Sequence, residues 1–253
     1  MSSTDLFSTK SGLYATARPI YPAALIAYVA AQAPARSAVW DCGSGNGQAA
    51  VALADLFRLV QATDLSAEQI RHALQSPRVQ YSVQPAERTN FADASFDAVC
   101  VAQALHWFDY AAFYPEVYRV LKPNGVFAAW GYSWSTITPA IDVVIKQDVL
   151  DVLASYWAPQ NRLLWNNYRD VPFPFDEIEA PSFAIEAAWT FDEFFDYINT
   201  WSATRLCLAE CGADYLDGAR DRLARAWGNP AMHRPVHMQL ALRIGRRRKD
   251  GIE

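Results

Sequence analysis

Val39-Trp40-Asp41-Cys42-Gly43-Ser44-Gly45-Asn46-Gly47 begins as a short apolar run and breaks into three alternate glycines. A helical pattern, Gln48 to Phe57, follows at once. Strand, glycine turn and helix in this order make a ligand cradle, because glycine takes tight-turn angles and lets backbone approach a ligand closely. The spacing is G-x-G-x-G, not the G-x-G-x-x-G of the dinucleotide fingerprint. Asp41 stands at the mouth of the turn, where it would repel a pyrophosphate and suit a ligand with a cationic head. Both departures weigh against an NAD-dependent oxidoreductase.

Working outward, strands and helices alternate. Pro22 opens a helix over 22–33. Leu59–Thr63 reads as a strand closed by Asp64, and Ser66 caps a helix reaching about Leu74, with Glu68 and Gln69 in its first turn. Val79–Val83 and Phe96–Ala102 read as strands, 110–121 as an amphipathic helix, Pro123-Asn124-Gly125 as a turn and Val126–Trp130 as another strand. This rhythm predicts an α/β fold: a Rossmann-like, doubly wound, seven-stranded and mostly parallel sheet with helices on both faces. After residue 131 the rhythm breaks. An aromatic-rich helical cap is expected over 135–181, inserted behind a core with an N-terminal arm (1–134). The remainder, 182–253, supplies closing strands and helices and part of the cap. Within it, 182–189 and 235–244 read as strands, and 191–203 and 214–227 as helices.

Composition narrows the function. The chain has 253 residues, 52% hydrophobic and 19% charged, which suits a packed globular fold. Its net charge of −5 argues against a nucleic-acid partner. The one basic run, Arg246-Arg247-Arg248-Lys249, reads as a solvated tail. Cys42, Cys100, Cys207 and Cys211 have no zinc spacing, no metal site is expected, and reduced thiols in a cytoplasmic protein are the natural reading. The opening residues lack a signal-peptide pattern, and no run of about 18 apolar residues predicts a membrane span. A monomer or homodimer is expected.

Asp64 lies 21 residues beyond Gly43, at the end of the second predicted strand. An acid there either accepts hydrogen bonds from the ribose hydroxyls of an adenosine-containing ligand or caps the next helix. The glycine turn at this distance favours ribose. S-adenosyl-L-methionine, with an ammonium and a sulfonium, is the adenosine ligand that also suits Asp41.

Val39 to Gly47 followed by Asp64-Leu65-Ser66 resembles the first motif and acidic partner of class I S-adenosylmethionine-dependent methyltransferases. Glu116-Val117-Tyr118-Arg119-Val120-Leu121-Lys122-Pro123-Asn124-Gly125 resembles the helix–turn segment of the type 11 group, with Asn124 where Gly is usual. Val101-Ala102-Gln103-Ala104-Leu105-His106-Trp107-Phe108 is similar to the fourth-strand motif of the trans-aconitate methyltransferase-like subgroup. The resemblance is strong over about residues 5–135 and loose beyond.

The resemblance implies cofactor contacts from Asp41, Gly43, Gly45, Asp64, Leu65, Gln103 and, around adenine, Ala86 and Glu87. Tyr14, Arg18, Tyr21 and Pro22 resemble the subgroup's opening motif, whose arm folds over the cofactor. Arg18 then pairs with the methionine carboxylate, or else anchors the arm by a surface ion pair. Six of the nine tryptophans fall between Trp130 and Trp201, enough to wall a water-poor substrate pocket. Trp107, Trp134 and Trp201 are the candidate walls. Arg205 either meets an anionic substrate or is a solvated helix arginine.

His106 follows the fourth strand, whose end borders the ligand crevice in such sheets. It is the candidate catalytic residue, as general base or as an orienting group, against a structural histidine bonded to a neighbour. The expected activity is methyl transfer to a small molecule at O, N or S, a carboxylate included. The alternatives are a nucleic-acid or protein methyltransferase and a non-catalytic S-adenosylmethionine-binding protein. Gln103-Ala104-Leu105-His106 lacks the Asn/Asp-Pro-Pro-aromatic motif of amino-methylating DNA enzymes.

Overall fold

The computed structural model describes residues 18–212 and 215–248. Eight strands form one sheet: β1 Ala38–Cys42, β2 Leu59–Asp64, β3 Val79–Val83, β4 Phe96–Ala102, β5 Leu121–Thr136, β6 Asp176–Glu177, β7 Phe183–Trp189 and β8 Arg234–Arg246. Their order is β3-β2-β1-β4-β5-β8-β6, with β7 also paired to β8. β1 to β5 run parallel, and β8 lies antiparallel to β5. The expected seven strands are therefore seven positions. β7 pairs with the Arg234–Leu240 half of β8 and β6 with Gly245–Arg246, so two strands share the last position.

Period-2 side-chain alternation sends each central strand into two cores at once. Val39, Ala98, Cys100, Val126, Ala128 and Trp130 face one core, shared with α1 (Ala23–Gln32) and α2 (Gln48–Ala54). Trp40, Val99, Val101, Phe127 and Ala129 face the other, shared with α4 (Tyr110–Val120). Trp40 is fully buried, and its indole N–H donates to Thr63 Oγ1 at 2.8 Å. Fully burying a large apolar side chain contributes roughly 1.5–3 kcal/mol, and both faces of the sheet bury several.

Several element ends differ from the sequence reading. α2 stops at Ala54 and α3 (Ala67–Arg71) stops short of Leu74, although Ser66 Oγ does accept from Gln69 N at 3.2 Å. β5 runs on to Thr136 because β8 pairs with it as far as His237. The single helix expected over 191–203 is two: α7 Phe191–Asn199 and α8 Ser202–Cys211. Between them the Thr200 hydroxyl donates to Tyr197 O, and Trp201 is extended.

The helices expected as a cap lie in two insertions, and the expected range 135–181 is not all helical: residues 135–136 end β5 and Asp176–Glu177 form β6. The first carries α5 (Pro139–Val144), which widens into a π turn over Ile145–Leu150, then a 3-10 turn over Val152–Tyr156 and α6 (Asn161–Trp165). The second carries α7, α8 and α9 (Tyr215–Trp227) between β7 and β8. α8 packs on the 3-10 turn and α9 on α5, which joins the insertions. Among the described residues no helix is long and apolar enough to cross a membrane, and no His/Cys/Asp/Glu group could hold a metal. None of the four cysteines is in a disulfide.

Candidate active site: a cleft and an aromatic chamber

β1 pairs with β2 on one side and β4 on the other, so the chain reverses its direction of travel across the sheet there. Crevices in open α/β sheets form at the carboxyl ends of such strands. Here β1 ends in the glycine turn and β4 runs out into Gln103. A cleft of about 190 Å³ opens between them.

The glycine turn is tied to the end of β2. Gly43 N and Ser44 N both donate to Thr63 O at 2.9 Å. Asp64 accepts from Gly45 N through Oδ2 and from Ser66 N through Oδ1, each at 2.8 Å. Gly43, Gly45 and Gly47 all have positive φ. They differ in what a side chain would meet. A Cβ on Gly43 would lie 2.7 Å from Ala104 Cβ, and one on Gly47 would lie 2.1 Å from the Tyr81 hydroxyl. On Gly45 it would meet only Gln69 Oε1, at 4.0 Å. Packing thus demands the first and third glycines, and the middle one leaves cleft floor open.

The remaining expected contacts fall as follows. Arg18, Gly43, Gly45, Asp64, Leu65, Ala86, Glu87 and Gln103 line the cleft. Tyr14 lies outside the described residues. Asp41 is not in the wall: it is fully buried beneath the turn, and beyond a weak pull from the Ala50 amide neither oxygen makes a well-formed hydrogen bond among the described residues. Burial, then the nearby Asp64 charge, pushes its carboxyl up to about 7, against a smaller opposing pull from the Ala50 amide. Burial likewise raises Asp64, opposed by the amides that donate to it.

A second chamber, about 80 Å³, adjoins the cleft. Arg18, Gln103, Trp107 and Tyr132 line both spaces. Trp134, Trp157, Trp165 and Trp201 wall the chamber, with ring centroids 5.2–6.1 Å apart for Trp134 against the other three. Trp134 comes from β5, Trp157 and Trp165 from the first insertion, and Trp201 from the second. Arg205 is half-buried and lines neither space.

His106 borders the chamber, not the cleft. It sits in a 3-10 turn, 4% exposed, with Nδ1 3.2 Å from the Tyr168 hydroxyl. Burial lowers its pKa to about 4. Gln103 joins the spaces through strained backbone, φ +59°. Its side-chain amide donates to Tyr132 O and accepts from Tyr132 N, both at 2.8 Å. It thereby extends the pairing of β4 with β5 by one rung.

Sequence reasoning missed Ser44, Asn46, Tyr132, Trp157, Trp165, Asn161 and Tyr168. Ser44 and Asn46 stand between the glycines and were legible as turn residues. The others come from segments with no local signature beyond aromaticity.

The fold and these joined spaces define a Rossmann-like α/β enzyme. A methyltransferase-domain model matches residues 40–129. A solved protein from Anaeromyxobacter dehalogenans, described as a type II methyltransferase, is 43% identical. It has a TM-score of 0.84, and the match covers 90% of this chain and 97% of that one. A Dictyostelium discoideum protein named as a methyltransferase is 29% identical over 227 residues, 88% of this chain and 86% of its own. An uncharacterised Mycobacterium tuberculosis methyltransferase is 38% identical over 133 residues, with this chain spanning about half its length (52%). The chain belongs to the class I S-adenosylmethionine-dependent methyltransferases, and its cofactor is S-adenosylmethionine.

Proposed function

We propose that the chain methylates a small molecule held in the aromatic chamber, with the donor in the adjoining cleft. The observation that carries this reading is the shared wall of Arg18, Gln103, Trp107 and Tyr132, through which the two spaces meet.

The cleft suits the donor. Ser44 Oγ and Asn46 Nδ2 are buried there without partners among the described residues, and the floor over Gly45 is open. Asp64 would take the ribose hydroxyls on the lone pairs its two amide bonds leave over. Leu65, 54% exposed at the rim, with Ala86 and Glu87, would border the adenine. Arg18 would face the methionine carboxylate, and Asp41 would act on the cationic end through its field, from beneath the turn. S-adenosylmethionine supplies an electrophilic methyl group on a sulfonium sulfur. The chain's own part is to align the acceptor and exclude water, and tryptophan walls suit both tasks.

The test is a screen of metabolite extracts with isotopically labelled donor, read by mass spectrometry as a one-methyl gain. Trp134→Ala should then raise KM for the acceptor and leave S-adenosylhomocysteine affinity unchanged. Wild-type KM in this variant would refute the chamber as the acceptor site.

A further inference from the structure

We propose that Tyr168 is a positioning residue that fixes His106 as a hydrogen-bond donor, through Nε2–H, toward the aromatic chamber. His106 then orients an acceptor atom of the substrate and takes no proton from it. The proposal rests on the reading of the chamber as the acceptor site.

The argument starts from one buried hydroxyl. Tyr168 is fully buried, and burial raises its pKa above the ordinary tyrosine value, so it keeps its proton. A buried O–H that finds no acceptor is costly, because it has given up its hydrogen bond to water and gained none in return. His106 Nδ1, at 3.2 Å, is the acceptor that the described residues offer it. Tyr168 therefore donates and Nδ1 accepts. Burial also keeps the imidazole neutral, with a single N–H. With Nδ1 occupied as an acceptor, that hydrogen resides on Nε2. The opposite tautomer would leave the tyrosine proton without a partner.

Independent features show that the fold is built to hold Tyr168 there. Asn167 and Tyr168 have φ of +54° and +57° in succession, directly after α6. Left-handed backbone is strained for a non-glycine residue, because Cβ crowds the carbonyl oxygen, and it persists where surrounding contacts over-determine it. Those contacts are present. Tyr168 N donates to Leu163 O at 2.8 Å, and the Arg243 guanidinium donates to Tyr168 O and Val171 O at 3.1 and 2.8 Å. Gly131 leaves the room: a Cβ there would lie 3.2 Å from the Tyr168 hydroxyl and 2.6 Å from Leu164 Cδ1.

The rest of the chamber matches a donating histidine. Trp157 Nε1 and Asn161 Nδ2 are buried in its wall without partners among the described residues. Arg18 is the charged side chain in that wall, and no carboxylate lines it among the described residues. Such a lining meets lone pairs on the substrate.

The experiment needs no substrate. Long-range proton–nitrogen NMR on the full chain, labelled at its four histidines, reports the tautomer of each ring, with His106 assigned by its loss in His106→Gln. The expected spectrum shows His106 neutral and protonated at Nε2 near pH 7. Tyr168→Phe should move the Nδ1 resonance toward the average of two exchanging tautomers. Protonation at Nδ1 in the wild type, or an unmoved resonance in Tyr168→Phe, would overturn the proposal. Once an acceptor is identified, Tyr168→Phe should raise its KM several-fold with less than about a tenfold loss of kcat. A loss of about 100-fold or more in kcat at unchanged KM would instead mark His106 as a base and sink the proposal. The chamber reading fails separately, through Trp134→Ala, and leaves the NMR result standing.

Discussion

Asp41 shows how one residue can be retained against stability. Its carboxyl is fully buried, with no well-formed hydrogen bond among the described residues and a folded pKa of about 7. Between about pH 4 and pH 7 the unfolded chain loses this proton while the folded chain keeps it. The folded state then binds more protons, so stability falls as pH rises through that window, by roughly 1.4 kcal/mol per unit at most. Asp41→Asn should match the wild type in Tm at pH 4 and exceed it at pH 7.5, while binding S-adenosylhomocysteine more weakly. A variant that melts lower at both pH values would contradict this account. The glycines offer a second contrast at the same scale. Gly47→Ala should be the more destabilising change, because its methyl would overlap the Tyr81 hydroxyl. Gly45→Ala should cost only about 1–2 kcal/mol of backbone strain but more of the cofactor affinity, since its methyl enters open cleft. Thermal unfolding and calorimetry on the two variants read both quantities. The reverse ranking in either would show that the glycines have been assigned the wrong roles.

At the scale of elements, the joint between β4 and β5 sets the geometry of both spaces. Gln103 holds left-handed backbone so that its amide can bond both polar groups of the Tyr132 backbone. Tyr132 lines the cleft and the chamber together. Gln103→Ala removes both bonds, and each backbone group left without that partner costs about 1–3 kcal/mol. The variant should melt several degrees lower and bind S-adenosylhomocysteine more weakly. Wild-type stability in Gln103→Ala would mean that the amide bonds are replaced by water without loss. Gly131 belongs to the same joint: a Cβ there would lie 2.5 Å from Gln103 Oε1, so the glycine is part of the clamp.

Across the whole molecule, Arg18 spans core and cap. Its guanidinium reaches the Tyr132 hydroxyl on β5 at 3.4 Å and the Thr200 carbonyl between α7 and α8 at 3.5 Å. Both are long for hydrogen bonds and leave room to tighten. A ligand that engages Arg18 should therefore be felt in the cap as well as in the glycine turn. S-adenosylhomocysteine should slow amide hydrogen exchange both at Gly43–Asn46 and at Thr200–Thr204. Slowing confined to the glycine turn would show that core and cap respond independently.

What the sequence determined by itself is local. The Ser66 cap, the β3 and β4 bounds and the strand–glycine–helix unit all follow from residues within a few positions of one another, and the structure places them as expected. The parallel α/β class follows from their alternation. Tertiary structure decided what depends on distant partners. β5 is longer than its apolar run because Phe96 of β4 pairs with Leu121 at its start and β8, a hundred residues on, pairs along it to Thr136. The seventh sheet position is shared because β6 and β7 each find a different half of β8. Asp41 reads as a residue at the mouth of the turn, yet the packing of the β1–α2 unit buries it beneath the glycines. The tryptophan chamber draws on β5 and two separate insertions, and His106 meets a tyrosine 62 positions away. Hydrophobic periodicity records which face a side chain takes, but not which remote side chain it meets there. That choice is made only when the sheet closes and the cap settles over it.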